Sequence, residues 1–236
     1  MTVGSAHGEN PPDQAGYPAW FWFPPDRPDY AIGFLQPCLD NDSSAAIAKS
    51  DAIWSILAQC KSRVITRAGL IGTNPRLLYV GDKPQIIIDS LGYSGICNDY
   101  RLLDRFYDKN NYLMVVITGP AKDSLEFQNY LESRRRTYDD WLHTLPHDDS
   151  SFYSAGLAPE YYYQSSSWKK ATENALTDLA RELSVDIKSL YKFDGDNLYK
   201  TSIEEGDVIL SNWRIIARSY NPANRSFNVL IKMPKY

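Results

Sequence analysis

Histidine and cysteine are scarce in this chain, with three of each among 236 residues. Cys38, Cys60 and Cys97 form no CxxC pair, so their spacing offers neither a zinc knuckle nor a dithiol redox motif. Cys38 precedes a stretch that reads as one helix and Cys60 lies near its far end. At about 1.5 Å per helical residue the two stand roughly 20 Å or more apart, beyond disulfide reach, so any bridge would need Cys97. His143 and His147 have the i, i+4 spacing of zinc ligands, but Pro146 ends the helix that such spacing requires. In LGYSGIC, around Ser94, Ile96 occupies the place where a nucleophile elbow needs its second glycine. There is no phosphate-cradling glycine motif. The adjacent pairs Asp139–Asp140 and Asp148–Asp149 read as solvated charge rather than as a catalytic dyad. Positive charge is also short: the net charge is -4, which excludes a protein that lives by neutralising phosphates, and nucleic acid is not expected as a partner. No run reaches the roughly 18 apolar residues of a membrane span, and the start lacks the charged-then-apolar pattern of a secretory signal. These absences leave no catalytic residue, no cofactor and no metal site to name.

What the chain does have is enough apolar sequence for a real core, 43% of residues, and an internal echo. SSAAIAKSDAIWSILAQCKSR places Ala45, Ala48, Ala52, Ile53, Ile56, Leu57 and Cys60 on one helix face, with Asp42 or Ser43 as cap. SSSWKKATENALTDLARELS repeats the scheme with Trp168, Ala171, Ala175, Leu176, Leu179, Ala180 and Leu183, capped by a serine of 165–167. The offset is constant: 48 to 171 and 52 to 175 both differ by 123. The flanks agree. YAIGFLQ and EYYYQ, before the helices, and VIT at 64–66 and VDI at 185–187, after them, are strand-like. LLDRFYDKNNYLMVVITGP and NWRIIARSYNPANRSFNVLIKMP each read as a hairpin, with Arg105, Tyr107 and Asp108 matching Arg218, Tyr220 and Asn221, and Tyr112 matching Phe227. The first copy alone carries RLLYVGDKPQIII, which predicts a further hairpin turning over Gly81, Asp82 and Lys83.

The expected fold is α+β, with two similar tandem domains, each a small antiparallel sheet with one packed helix in the order strand, helix, strand, hairpin. Residues 1–17 form a polar tether. Residues 18–120 make the first repeat and 151–236 the second. Between them, 121–150 hold a linker helix, marked by Phe127, Leu131, Tyr138, Trp141, Leu142 and Leu145 and stopped by Pro146, and a loop, HDDSSFYSAGLAPE, that leads into the second unit.

PAWFWFPP, residues 18–25, sets four aromatic side chains in a row between prolines that favour an extended backbone. Extended, Trp20 and Trp22 face one way and Phe21 and Phe23 the other, so both sides are apolar. Two placements follow: a strap clamped between the units or under the linker helix, or an exposed anchor for a partner or a membrane interface. Arg134, Arg135 and Arg136 form the only basic run, either a solvated face paired with Glu132, Asp139 and Asp140 or a dock for an acidic partner. Trp20, Phe21, Trp22, Phe23 and the three arginines are the candidate partner-binding residues. The tyrosines at 161–163 suit half-buried strands or a contact surface.

The opening P-x-W followed by PP, with Tyr30, Gly33 and a helix of spaced alanines, resembles the bacterial LPP-twenty lipoprotein family. The second copy, SSSWKKATENALTDLARELSVDIKSL with a late R-x-Y-N and a closing apolar strand, resembles the same domain and is similar to the related flagellar-assembly T proteins. The resemblance covers about four-fifths of the chain and brings no catalytic residues. It implies a dodecin-type sheet with one packed helix and a place in the bacterial periplasm or outer membrane, once a leader is removed. With the repeat, it leads us to expect a non-enzymatic cell-envelope structural or adaptor protein, serving a motility or surface complex. Its expected partners are other envelope proteins; peripheral or lipid-anchored membrane association and self-association are compatible with the sequence. The alternative is a small-ligand-binding protein that uses an aromatic groove between the repeats.

Overall fold

A computed structural model describes residues 16–38, 40–71, 78–81, 84–88, 99–123, 127, 141–191 and 203–235. Its elements run α1 (Ala19–Trp22), β1 (Ala31–Leu35), α2 (Asn41–Cys60), β2 (Lys61–Ile71), β3 (Leu78–Gly81), β4 (Gln85–Ile88), β5 (Tyr100–Asp108), β6 (Leu113–Pro120), β7 (Ser151–Pro159), α3 (Gln164–Tyr191), β8 (Ile203–Ser211), β9 (Arg214–Asn221) and β10 (Ser226–Pro234). The fold is α+β, with three small antiparallel sheets. Two have three strands, in the orders β1-β6-β5 and β7-β10-β9. In each the most continuously apolar strand sits in the middle: every residue of β6, LMVVITGP, is buried, as are the first six of β10, SFNVLIKMP. An unbroken apolar run suits a strand covered on both faces, and the centre of a packed sheet is where both faces are covered.

Each of these sheets carries one long helix, and each crossing is set by a glycine. A Cβ on Gly33 of β1 would overlap the Ala48 carbonyl oxygen and come within 2.9 Å of the Ala52 Cβ. On Gly156 of β7 it would overlap the Ala171 carbonyl oxygen and come within 2.8 Å of the Ala175 Cβ. Alanine on the helix and glycine on the strand let two backbones approach as no larger pair could. Opposite these glycines, Val116 pairs with Gly33 and Arg105, and Val229 with Gly156 and Arg218. The hairpin turns correspond too. Tyr112 and Arg225 both adopt positive φ, 49° and 53°, and Asp108 and Asn221 accept backbone N–H bonds from Asn110 and Ala223, both at 2.9 Å.

The third sheet belongs to both halves. β2 pairs with β8 along nine residues, from Lys61↔Ser211 to Gly69↔Ile203. Its other edge takes β4 against residues 62–65 and β3 against residues 68–71. A bidentate pair between Arg63 and Asp207 crosses β2 and β8 on the exposed side.

The structure corrects several sequence expectations. Of the hairpin expected over Gly81, Asp82 and Lys83, residues 82 and 83 lie outside those described, and its arms β3 and β4 both pair with β2, end to end, because that eleven-residue strand offers a longer edge than either short strand offers the other. Residues 151–159, expected as a loop, are the strand β7, and EYYYQ, expected as a strand, is the connection into α3. The strand there is spelled with small residues, SAGLA, because α3 lies directly on it, whereas β-propensity favoured the tyrosines. VDI at 185–187 continues α3 rather than forming a strand. The cap of α2 is Asp40, ahead of the expected Asp42 or Ser43, and its carboxylate accepts from the Ser43 N–H at 2.9 Å. Tyr112 corresponds to Arg225 by its place in the turn, and Phe227 instead pairs with Tyr220 as Met114 does with Tyr107. Of the linker, residues 141–150 are turns and bends with Leu142 and Leu145 exposed, since Pro146 removes an amide that a helix there would use. Phe127 and Trp141 are buried, and most of the residues between them lie outside those described.

Candidate functional site

The aromatic segment joins the halves by turning rather than by extending. Ala19–Trp22 is one helical turn, closed by Phe21 N–H to Pro18 O and Phe23 N–H to Ala19 O, both at 2.9 Å. Pro18 occupies the N-cap position, where a helix loses nothing to a missing amide, so the proline expected to keep the segment extended starts the turn instead. The turn breaks the two-faced alternation: Trp20 and Phe21 are buried, while Trp22 and Phe23 are half-buried. Phe21 meets Phe34 of the first half edge-on, with centroids 6.3 Å apart, and Trp168 of the second, at 5.3 Å. The Trp20 indole donates to Asp104 at 2.8 Å. The Tyr17 hydroxyl lies 2.9 Å from Asp108 and 3.3 Å from Gln164, and burial followed by the Asp108 charge drives its pKa far upward, so it stays a neutral donor. Asp26, just beyond, receives Arg214 and Lys232 of the second sheet. The segment is a strap whose apolar surface is spent inside the chain, not an exposed anchor.

Beside the strap, a cleft of about 320 Å³ opens between the helices α2 and α3. One wall is Asp51, Trp54, Ser55 and Ala58 of α2; the other is Lys169, Thr172, Glu173 and Leu176 of α3. Ile32 and Phe34 of β1, Ile86 and Ile88 of β4, and Trp213 and Ile215 from the β8–β9 end complete an apolar interior to which both halves contribute. β1 is an edge strand, so no further strand of its own sheet occupies the space beside it. Two polar devices hold the walls. Lys169 reaches from α3 to Asp51 of α2 at 2.6 Å, while the other Asp51 oxygen accepts the Phe34 N–H at 2.9 Å. Gln59, 3% exposed, donates to the Pro28 and Tyr30 carbonyls and fixes the chain between strap and β1.

Arg218 also lines this cleft. It is 5% exposed, its Nη1 donates to the Phe21 carbonyl at 3.1 Å, and its guanidinium lies 5.4 Å from the Phe21 ring centroid and 6.0 Å from that of Phe34. Its Nε is buried without a hydrogen-bond partner. Burial pulls its pKa down to about 9, which still leaves it cationic at neutral pH. Arg105, at the matching place in the first hairpin, is exposed and pairs with Asp42 at 2.7 Å.

The sequence-chosen residues are therefore divided. Trp20 and Phe21 support the cleft from behind, through Phe21, and Trp22 packs on Trp168, with centroids 6.1 Å apart. Arg134, Arg135 and Arg136 lie outside the described residues, as do Ser94 and Cys97. His143 and His147 are exposed, and Cys38 and Cys60, at opposite ends of α2, are both free thiols. Among the described residues no three His, Cys, Asp or Glu side chains gather to hold a metal ion, and no helix is long and apolar enough to cross a membrane. In the sequence Arg218 stands out only as a marker of the repeat. A signal for it was present, a lone cation inside the strand IIARSY, but burial decides its meaning and strand alternation alone does not give burial. No family model matches the chain, and no curated protein or solved structure matches it significantly.

Proposed function

We propose that this chain is a small-ligand-binding protein built from two copies of one module, with the ligand held in the cleft between their helices. The duplication is supported by the shared order strand, helix, strand, hairpin, by the two matching strand orders, and by the offset of 123 that carries Gly33, Ala48 and Ala52 onto Gly156, Ala171 and Ala175. The dodecin-type likeness of each copy and the cell-envelope setting enter from the sequence resemblance alone. The binding reading rests on one observation: an apolar cleft of about 320 Å³, within the size range of small-molecule sites, is bounded by both halves and includes a buried cation. Trp54 and Trp213 line it and supply an intrinsic fluorescence probe. A panel of small amphiphiles screened by tryptophan emission and thermal shift should give binders whose signal disappears when Ala58→Leu or Ser55→Leu fills the cleft. A panel without binders, or binding indifferent to both substitutions, would end the reading.

A second reading, the envelope adaptor, draws on a different surface. Tyr161, Tyr162 and Tyr163 stand together before α3, and Tyr162 is 92% exposed, an unusual expense of aromatic surface on solvent. Replacing all three with serine should leave the melting temperature unchanged and abolish co-purification of envelope proteins if that surface recruits them.

A further inference from the structure

We infer that the ligand of the cleft is an apolar monocarboxylate whose carboxylate pairs with Arg218. The inference rests on the cleft being a ligand site and adds the chemistry of what it holds. A buried cation is costly unless paired, and the cost rises with the number of its donors left without acceptors. Arg218 has one carbonyl and two ring faces for company, its Nε has no partner, and no carboxylate bonds to it among the described residues. The acids that share the cleft are engaged elsewhere: Asp51 by Lys169 and the Phe34 amide, Glu173 by Lys170 at 3.3 Å.

The two halves sharpen the point. Arg105 and Arg218 hold the same place in matching hairpins, and the fold provides the exposed one with Asp42 while the buried one is left without an acid. A structural role would be served by an acid beside Arg218 or by an apolar residue in its place. A guanidinium presents a planar fork that suits a carboxylate, and in surroundings emptied of water such a pair is strong. The apolar part of the lining, Ile32, Ile86, Ile88, Ile215, Trp54 and Trp213, suits a hydrocarbon or aromatic body, while Asp51, Lys169, Glu173 and Gln59 are bonded to other groups of the protein. The volume, about 320 Å³, is of the size that holds a small molecule.

Octanoate and 1-octanol share an alkyl body and differ in charge, so the pair separates the cleft from its cation. Titrated into the full chain and followed by tryptophan emission and calorimetry, octanoate should bind about tenfold or more tighter than octanol, as expected when a charged hydrogen-bonded pair is gained. In Arg218→Met that preference should vanish while octanol binding persists, and the ligand-free variant should melt at a higher temperature, since an uncompensated buried charge has been removed. Arg218→Lys keeps the charge without the fork and should retain part of the preference; it also carries the test if the methionine variant fails to fold. Equal binding of acid and alcohol to the wild type, or an unchanged preference in the folded variants, overturns the inference and leaves the cleft a ligand site. Binding of neither probe overturns the inference, and the cleft reading falls separately if the wider amphiphile panel is also silent.

Discussion

Gly33 and Gly156 occupy the same point of two helix-on-sheet crossings, each lying where a side chain would collide with a helix carbonyl, Ala48 in one case and Ala171 in the other. The obstacle is backbone, which cannot swing aside as a long side chain does. Gly33→Ala and Gly156→Ala should each destabilise the chain by about 3 kcal/mol or more, the upper range for overpacking a close contact. Urea unfolding followed by circular dichroism measures this. Losses under about 1 kcal/mol would mean that the helices can lift from their sheets at little cost.

The strap should behave as core. Phe21 is fully buried and touches both halves, so Phe21→Ala should cost about 3–5 kcal/mol, and Trp22→Ala, at a half-buried position, should cost less. Denaturant midpoints of the two variants give the order directly, and a reversed order would place the anchoring elsewhere. Because Phe21 also holds Arg218 through its carbonyl and ring, loss of the ring should weaken ligand binding as well.

Acid should loosen the strap from the second sheet. Burial alone would raise the Asp26 carboxyl, but the hydrogen bonds and charges of Arg214 and Lys232 outweigh it and hold the pKa below its ordinary value. A carboxyl depressed in the fold contributes stability that is complete above its unfolded pKa, about 4, and is lost as pH falls through the lower folded value. Asp26→Asn should therefore lower stability at pH 7 and flatten the decline of unfolding free energy below about pH 4. Asp148, held low by the Tyr153 hydroxyl and by Ser150, has the same sign, so some slope should remain. An acid limb identical in wild type and variant would remove Asp26 from the explanation.

Across the cleft, Asp51 and Lys169 should not be equivalent. Lys169 is half-exposed and contributes only its ion pair, which at such a site is commonly worth less than about 1 kcal/mol. Asp51 also satisfies the Phe34 amide on the edge strand, and removing it leaves that donor without its acceptor. Thermal melts should rank Asp51→Ala as the more harmful substitution, while Lys169→Ala should change mainly the rate of ligand exchange by opening the span between the helices. Equal melting losses would argue against the Phe34 bond.

Much of this architecture was readable in the residues. The helical period of Ala45, Ala48, Ala52 and Ile56 and its echo 123 positions later located both helices, and the Asn-rich turns located both hairpins. The expectations that failed did so where a long-range contact overrode a local preference. Ser-Ala-Gly-Leu-Ala has poor strand propensity yet pairs along β10, because only small residues fit beneath α3. Pro18 reads as a breaker in isolation and serves as the start of a turn once Trp20 and Phe21 have a core to enter. Arg218 was visible as half of a matched pair, but nothing local tells an arginine that ends in solvent from one that ends between two phenyl rings.

The sequence by itself determined the two long helices and the hairpins β5–β6 and β9–β10, since helical periodicity and turn residues act over a few positions and leave their mark in order along the chain. Tertiary structure alone decided that β2 and β8 merge the halves into one sheet, that the aromatic turn packs between them, and that one of two matching arginines is shut away from water. Those outcomes depend on which surfaces meet across more than a hundred residues, and burial, which fixes what a charge costs and what it can hold, exists only after they have met.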